Sequence, residues 1–227
     1  MRVPKLSSSL IIFDCDGVLI DSEVLSARTL IEEAASLGVT LDMDYVRDHF
    51  LGRSFPTVAK AIRDGFDVTL PIDCETRYRA RLLERFEADL RPTAGILNLL
   101  ARLTVPTCVA TSSSPPRVAR SLAIVGLDTQ FARVFTASLV ERGKPAPDLF
   151  LYAANAMGVR PSDCLVVEDS RPGIVAARAA GMEVCLFTGG SHMQGRGFDF
   201  DPPLQAVDSW VAFATLYPDL IQGPIDP

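Results

Sequence analysis

Five short apolar runs mark the chain: Leu10–Phe13, Thr107–Ala110, Val134–Thr136, Leu165–Val167 and Val184–Phe187. Short runs without polar alternation are the pattern of strands buried on both faces of a parallel sheet. Segments of helical spacing lie between them. Pro92–Leu103 leads into the second run. Ser114-Pro115-Pro116 opens a helix with a serine at the cap and proline in the first turn, and Val118, Leu122 and Val125 form its apolar stripe. Asp148–Met157 and Arg171–Ala180 follow, the second closed by Gly181. Strands alternating with helices predict an α/β fold, a parallel sheet wrapped by helices.

Between the first and second runs the alternation stops. Val24, Ala27, Ile31, Ala34 and Ala35 keep helical spacing as far as Gly38, and Asp73–Leu90 is a second long helical segment rich in Arg and Glu. No convincing strand separates them. Residues 24–90 therefore read as a helical insert in a sheet-forming body of residues 1–23 and 91–227, with hinges near Ser22–Val24 and Asp89–Pro92. The glycine-rich stretch Gly189–Gly197 precedes no clear helix, so it reads as a surface loop rather than a nucleotide fingerprint. Beyond Phe198 the pattern resolves only a helix around Ser209–Leu216.

Composition narrows the function. A chain of 227 residues, 48% of them hydrophobic, can bury roughly 70% of its unfolded surface. A net charge of −6 repels phosphate backbones, which disfavours nucleic acid as a partner. No apolar run approaches a membrane span, and the two cations near the N-terminus precede too short an apolar segment for a signal peptide. Five scattered cysteines without Cys-x-x-Cys spacing read as reduced core thiols. The expectation is a cytoplasmic protein, a monomer or weak dimer, acting on a small molecule.

The chemistry gathers where strands end. Asp14 and Asp16 follow the first strand directly, and residues two apart in extended chain face one side. One carboxylate can attack while the other handles a proton. Gly17 then permits a sharp turn and can offer an N–H to an anion. Alone, the pair reads equally well as turn-forming aspartates. Thr111-Ser112-Ser113 puts hydroxyls after another strand and before a helix N-terminus, a seat for phosphate, although such clusters are commonly caps. Lys144 is one of three lysines against 19 arginines, and its frame Gly143-Lys144-Pro145-Ala146-Pro147 is a stiff loop able to aim one charge; the alternative is a surface lysine. Glu168-Asp169 adds acids after the fourth run, either as helix caps or, with Asp14 and Asp16, as an oxygen cage suited to Mg²⁺. A carboxylate at 4 Å from a phosphate dianion meets about 8 kcal/mol of repulsion at an effective dielectric of 20. A nucleophilic aspartate therefore needs Mg²⁺ and a cation such as Lys144, and an acid such as Asp16 for the leaving oxygen.

The segments Asp14 to Glu23, Gly143 to Asp148 and Glu168-Asp169-Ser170, in this order, resemble the haloacid dehalogenase superfamily in its phosphatase and β-phosphoglucomutase-like branch. The resemblance covers essentially the whole chain and implies a Rossmann-like core with a small all-helical cap inserted after the first motif. It implies an aspartyl-phosphate formed on Asp14. It also implies Mg²⁺ held by the side chains of Asp14 and Asp169 and the backbone carbonyl of Asp16, with Glu168 beside it. Thr111 and Lys144 take the family's phosphate-binding places. Sugar-phosphate mutases of the branch carry a cap histidine where Ser26 stands and a cap arginine where Phe55 stands, with Arg53 close by, so hydrolysis is favoured over the mutase alternative. The dehalogenases lack the second aspartate. The phosphonate-cleaving branch needs a cap lysine, and Lys60 lies in an ordinary helical pattern. Within the family the chain is similar to small bacterial sugar-phosphate phosphatases, including those acting on 6-phosphogluconate. Arg47, His49 and Arg53 in the cap are candidates for a second anionic group of such a substrate; the alternative, which the many cap acids favour, is a solvated charged face. A phospho-acceptor signalling module is the non-enzymatic alternative, disfavoured because its acid pair precedes its acceptor. A serine hydrolase is disfavoured by the lack of Gly-x-Ser-x-Gly and by the presence of only two histidines, His49 and His192.

Overall fold

A computed structural model describes residues 8–195 and 197–224. Six parallel strands form one sheet: β1 (Leu10–Phe13), β2 (Thr107–Thr111), β3 (Val134–Thr136), β4 (Cys164–Glu168), β5 (Glu183–Phe187) and β6 (Gln205–Val207), in the spatial order 3-2-1-4-5-6. This is the doubly wound order, whose switch point lies between β1 and β4. The five expected strands are present, β2, β4 and β5 each one or two residues longer than their apolar runs.

Both faces of the sheet are covered. Ile11 and Phe13 join one apolar layer and Leu10 and Ile12 the other, as the two-residue period requires. On the first face lie α5 (Ile96–Leu100), α6 (Pro115–Ile124) and α9 (Trp210–Leu216). On the second lie α7 (Asp148–Met157) and α8 (Arg171–Ala179). Gly181 follows α8 in a left-handed conformation, as the closing residue should. The helix expected over Pro92–Leu103 shrinks to the five residues of α5, because Thr93 bonds backward to Leu19 and Val18 and Gly95 adopts a φ of 87°.

Between β1 and β2 the chain is helical, and the insert holds more helices than the pattern gives: α1 (Glu23–Ser36), α2 (Met43–His49), α3 (Phe55–Phe66) and α4 (Cys74–Asp89). Lys60 sits on exposed α3 paired with Asp64. Arg77 and Arg81 on α4 close around the buried Glu33 of α1, and Arg85 pairs with Glu32. The two passages joining the insert to the sheet run side by side, with Ile20 bridged to Pro92 and Asp21 N–H donating to Arg91 O at 3.0 Å. All five cysteines are free and buried. No helix among the described residues is long and apolar enough to cross a membrane.

Candidate active site

β1 and β4 end together, so the residues after them share one place beyond the carboxyl edge of the sheet. Asp14 N–H still pairs with Val167 O at 2.9 Å, which fixes its side chain beside β4. One carboxylate oxygen each from Asp14, Glu168 and Asp169 lies within 4.8 Å of the others, all three residues buried. Lys144 completes the group. Its buried ammonium donates to Asp14 Oδ1 at 2.7 Å, Glu168 Oε1 at 2.8 Å and Ala110 O at 3.0 Å. Burial alone would push the lysine down, but the two carboxylates hold it above its ordinary value. Burial, with their acidic neighbours, holds Asp14 and Asp169 well above the usual carboxylate range. One ammonium among three buried carboxylates leaves the cluster short of positive charge. Oxygen donors alone, without imidazole or thiolate among the three, suit a hard divalent cation such as Mg²⁺.

Glu168 serves two neighbours. Its Oε1 faces Lys144, while Oε2 accepts from Asp169 N, Ser170 N and Ser170 Oγ at 2.8–2.9 Å and so braces the N-terminal turn of α8. The capping and cluster readings of Glu168-Asp169 thus hold together for Glu168.

Asp16 departs from the expected cage: its carboxylate is not among the clustered acids. It turns instead to Ser22 Oγ and Ser113 Oγ, both at 2.6 Å, and to Arg117 Nη2 at 2.7 Å. The reason is the turn that follows β1, in which Leu19 and Ile20 N–H groups fold back on Cys15 O. Thr111 lies at the end of β2 with its hydroxyl accepting from Ser113 N at 3.0 Å, and Ser112 beside it faces the pocket. Gly17 corrects another expectation. Its N–H donates to Ile20 O at 2.8 Å rather than standing free for an anion. The glycine is required because φ is 79° and a β-carbon would lie 1.9 Å from Asp169 Oδ2.

Three site residues escape the sequence reading. Arg117, in the first turn of α6, reaches Asp16 and also donates to Ser26 Oγ at 3.1 Å. Glu23, at the start of α1, is buried in the pocket, and that burial, followed by the nearby Asp16 and Asp169, pushes its carboxyl up to about 8. His192 places Nε2 at 2.8 Å from Asp169 Oδ2. The stretch expected to be a surface loop therefore carries a buried residue to the site, because Ser191–Met193 forms a 3₁₀ turn that folds inward.

Two cavities meet here. A small one of about 60 Å³ joins Asp14, Asp16, Thr111 and Ser112 to the underside of the helical insert, where Leu30, Val46, Phe55 and Tyr78 line it. A wider groove of about 750 Å³ runs past Asp169 and His192 to Arg47, Arg53 and Arg171. Of the insert residues singled out in the sequence, Arg53 borders both cavities and Arg47 the groove. His49 borders neither. Two residues from Arg47 is about 200° around a helix, and its ring rests against Tyr45 at 4.4 Å.

A haloacid dehalogenase-like hydrolase family model matches residues 9–181. The 6-phosphogluconate phosphatase of Escherichia coli is 32% identical over 184 residues, covering 80% of this chain and 83% of that protein. A probable pseudouridine-5'-phosphatase of Drosophila melanogaster is 34% identical over 187 residues, covering 77% and 79%. Among solved structures, a haloacid dehalogenase-like protein from Agrobacterium tumefaciens superposes with a TM-score of 0.76 at 32% identity, covering 93% of this chain and 98% of that one.

Proposed function

This chain belongs to the haloacid dehalogenase-like hydrolases and is a phosphoric monoester hydrolase, and from that premise we propose that it hydrolyses small sugar phosphates through a phosphoryl group carried on Asp14. The observation that supports this most is the division of labour between two carboxylates. Asp14 sits in the acid cluster against Lys144, while Asp16, two residues on, is held by a separate set of donors.

An Asp14 oxygen attacks phosphorus as the bond to the sugar oxygen breaks, and Asp16 gives that oxygen a proton. In the second half Asp16 takes a proton from water, the water oxygen attacks phosphorus, and the bond to Asp14 breaks to release inorganic phosphate. Asp16 thus returns to its starting state over the full cycle. Lys144, Thr111 and Ser112 seat the phosphoryl oxygens. Asp14, Asp169 and the main-chain carbonyl of Asp16 would hold Mg²⁺ with Glu168 beside them, and the bound cation would offset the repulsion between carboxylate and phosphate. Residues 24–90 act as the cap that shapes the leaving-group pocket, with Arg47 and Arg53 toward the distal end of the substrate. Ser26, bound to Arg117, stands in that pocket where a mutase of the branch carries its cap histidine, and Phe55, stacked on Tyr78 at 5.0 Å, where it carries its cap arginine.

Phosphate release measured on a panel of sugar phosphates tests the reading. Turnover that requires Mg²⁺ and disappears in Asp14→Asn is expected. No turnover of any phosphomonoester by the wild type overturns the substrate class, and turnover by Asp14→Asn overturns the nucleophile.

A further inference from the structure

Each of the three clustered acids is braced from behind. Lys144 holds Asp14, and Ser170 with the turn amides holds Glu168. For Asp169 the brace is an imidazole: His192 Nε2 lies 2.8 Å from Asp169 Oδ2, and both side chains are almost wholly buried. His192 Nδ1 has no hydrogen-bond partner among the described residues, and the Asp169 carboxylate oxygen facing Nε2 is an acceptor, which puts the proton on Nε2. We propose that His192 is a positioning residue: its Nε2–H fixes the Asp169 carboxylate in the orientation in which it faces Asp14 and Glu168.

The loop that carries the imidazole is built for this. Asp21 Oδ1, on the segment leading out of the first motif, accepts from both Ser191 N at 3.0 Å and Ser191 Oγ at 2.8 Å. Met193 N–H closes the 3₁₀ turn onto Gly190 O at 2.9 Å. Gly190 lies so close to the first motif that a β-carbon there would come within 2.7 Å of Gly17 O and 2.8 Å of the imidazole. The ring is thus clamped between the turn after β1 and the acid after β4. A histidine that only filled space would not need its nitrogen aimed at a carboxylate. Hydrogen-bond partners that orient a metal-ligating side chain commonly govern metal affinity by about 10- to 100-fold.

The inference rests on reading the acid cluster as a metal site, so the test measures metal binding without turnover. Mn²⁺ binding is followed by electron paramagnetic resonance in the wild type, His192→Gln and His192→Leu, with substrate absent. Glutamine can place an N–H near the Nε2 position, whereas leucine keeps the volume without a donor. The expected result is affinity near wild type for H192Q and about 10- to 100-fold weaker for H192L. Equal affinity in wild type and H192L overturns the proposal, as does H192Q binding as weakly as H192L. A wild type that binds no Mn²⁺ overturns the metal reading and this inference with it. Should H192L fail to fold, Asp21→Ala carries the same test by freeing the loop: weaker Mn²⁺ binding supports the role and unchanged binding overturns it.

Discussion

Replacing Asp14 by asparagine should stabilise the metal-free protein while abolishing its proposed chemistry. At an effective dielectric of 20, Lys144 at 2.7 Å attracts the Asp14 charge by about 6 kcal/mol. Glu168 and Asp169, with oxygens within 4.8 Å, each repel it by about 3.5 kcal/mol or more. The ionised carboxylate is therefore a net cost of about 1 kcal/mol, before a further burial penalty of roughly 1–3 kcal/mol. Asparagine keeps an oxygen for Lys144 and puts its NH₂ among acceptors. A gain of about 2–4 kcal/mol corresponds to roughly 5–15 °C in Tm for a chain of this size. The sign follows from Asp14 being raised in the folded state by burial first and its acidic neighbours next. Such a group contributes stability below its unfolded pKa, near 3.9, and loses it as pH rises toward the folded value. The advantage of the variant should vanish near pH 4 and be largest in alkaline buffer. Adding Mg²⁺ should cancel most of the difference, because a ligand at about 100 times its Kd stabilises the wild type by about 2.7 kcal/mol and the variant offers it a neutral amide oxygen in place of a carboxylate. Thermal melts in EDTA and in Mg²⁺, at about pH 5 and pH 8, read all of this. Asp14→Asn melting at or below wild type in EDTA at the higher pH, or equal stabilisation of both proteins by Mg²⁺, would refute the reasoning.

Glu23 is raised to about 8 by burial first and by Asp16 and Asp169 next, so it too contributes stability at low pH that is lost as pH climbs from the unfolded value near 4.3. Glu23→Gln should flatten the decline in Tm between about pH 5 and 8 in EDTA, and an unchanged slope would count against the buried charge as its source. Arg117→Met keeps most of the side-chain volume but releases one of the three donors on Asp16. It should lower kcat by about 10- to 100-fold while leaving Mn²⁺ affinity intact, and an unaltered kcat would mean that Ser22 and Ser113 position Asp16 by themselves.

The strands were legible because a strand buried on both faces has no polar alternation to confuse with a helix. β6 was not, since only Val207 of its three residues is buried and the edge of a sheet imposes little pattern. α2 was missed for a related reason, since its seven residues bury only Val46, and α3 showed only as the helical pattern around Lys60. Asp14, Glu168 and Asp169 could be assembled from sequence because each stands at a strand end, where the topology gathers them, and Lys144 because its proline-rich loop marks it among few lysines. The direction of Asp16 could not, because it depends on Arg117, a partner 101 residues away. His192 left a trace. It is one of two histidines in the chain, and it follows Gly189-Gly190-Ser191 just after a buried strand, the position from which the other site residues also project.

The side-by-side passages at Ile20 and Pro92 have an evolutionary consequence. A segment whose two ends meet can be lengthened, trimmed or exchanged without changing the register of anything outside it. The strand ends that hold Asp14 and Asp169, and the loop that holds Lys144, are insulated from such changes, while the surface laid over them is free to vary. A lineage built this way can diversify which phosphate esters it selects while inheriting one unaltered set of reacting groups.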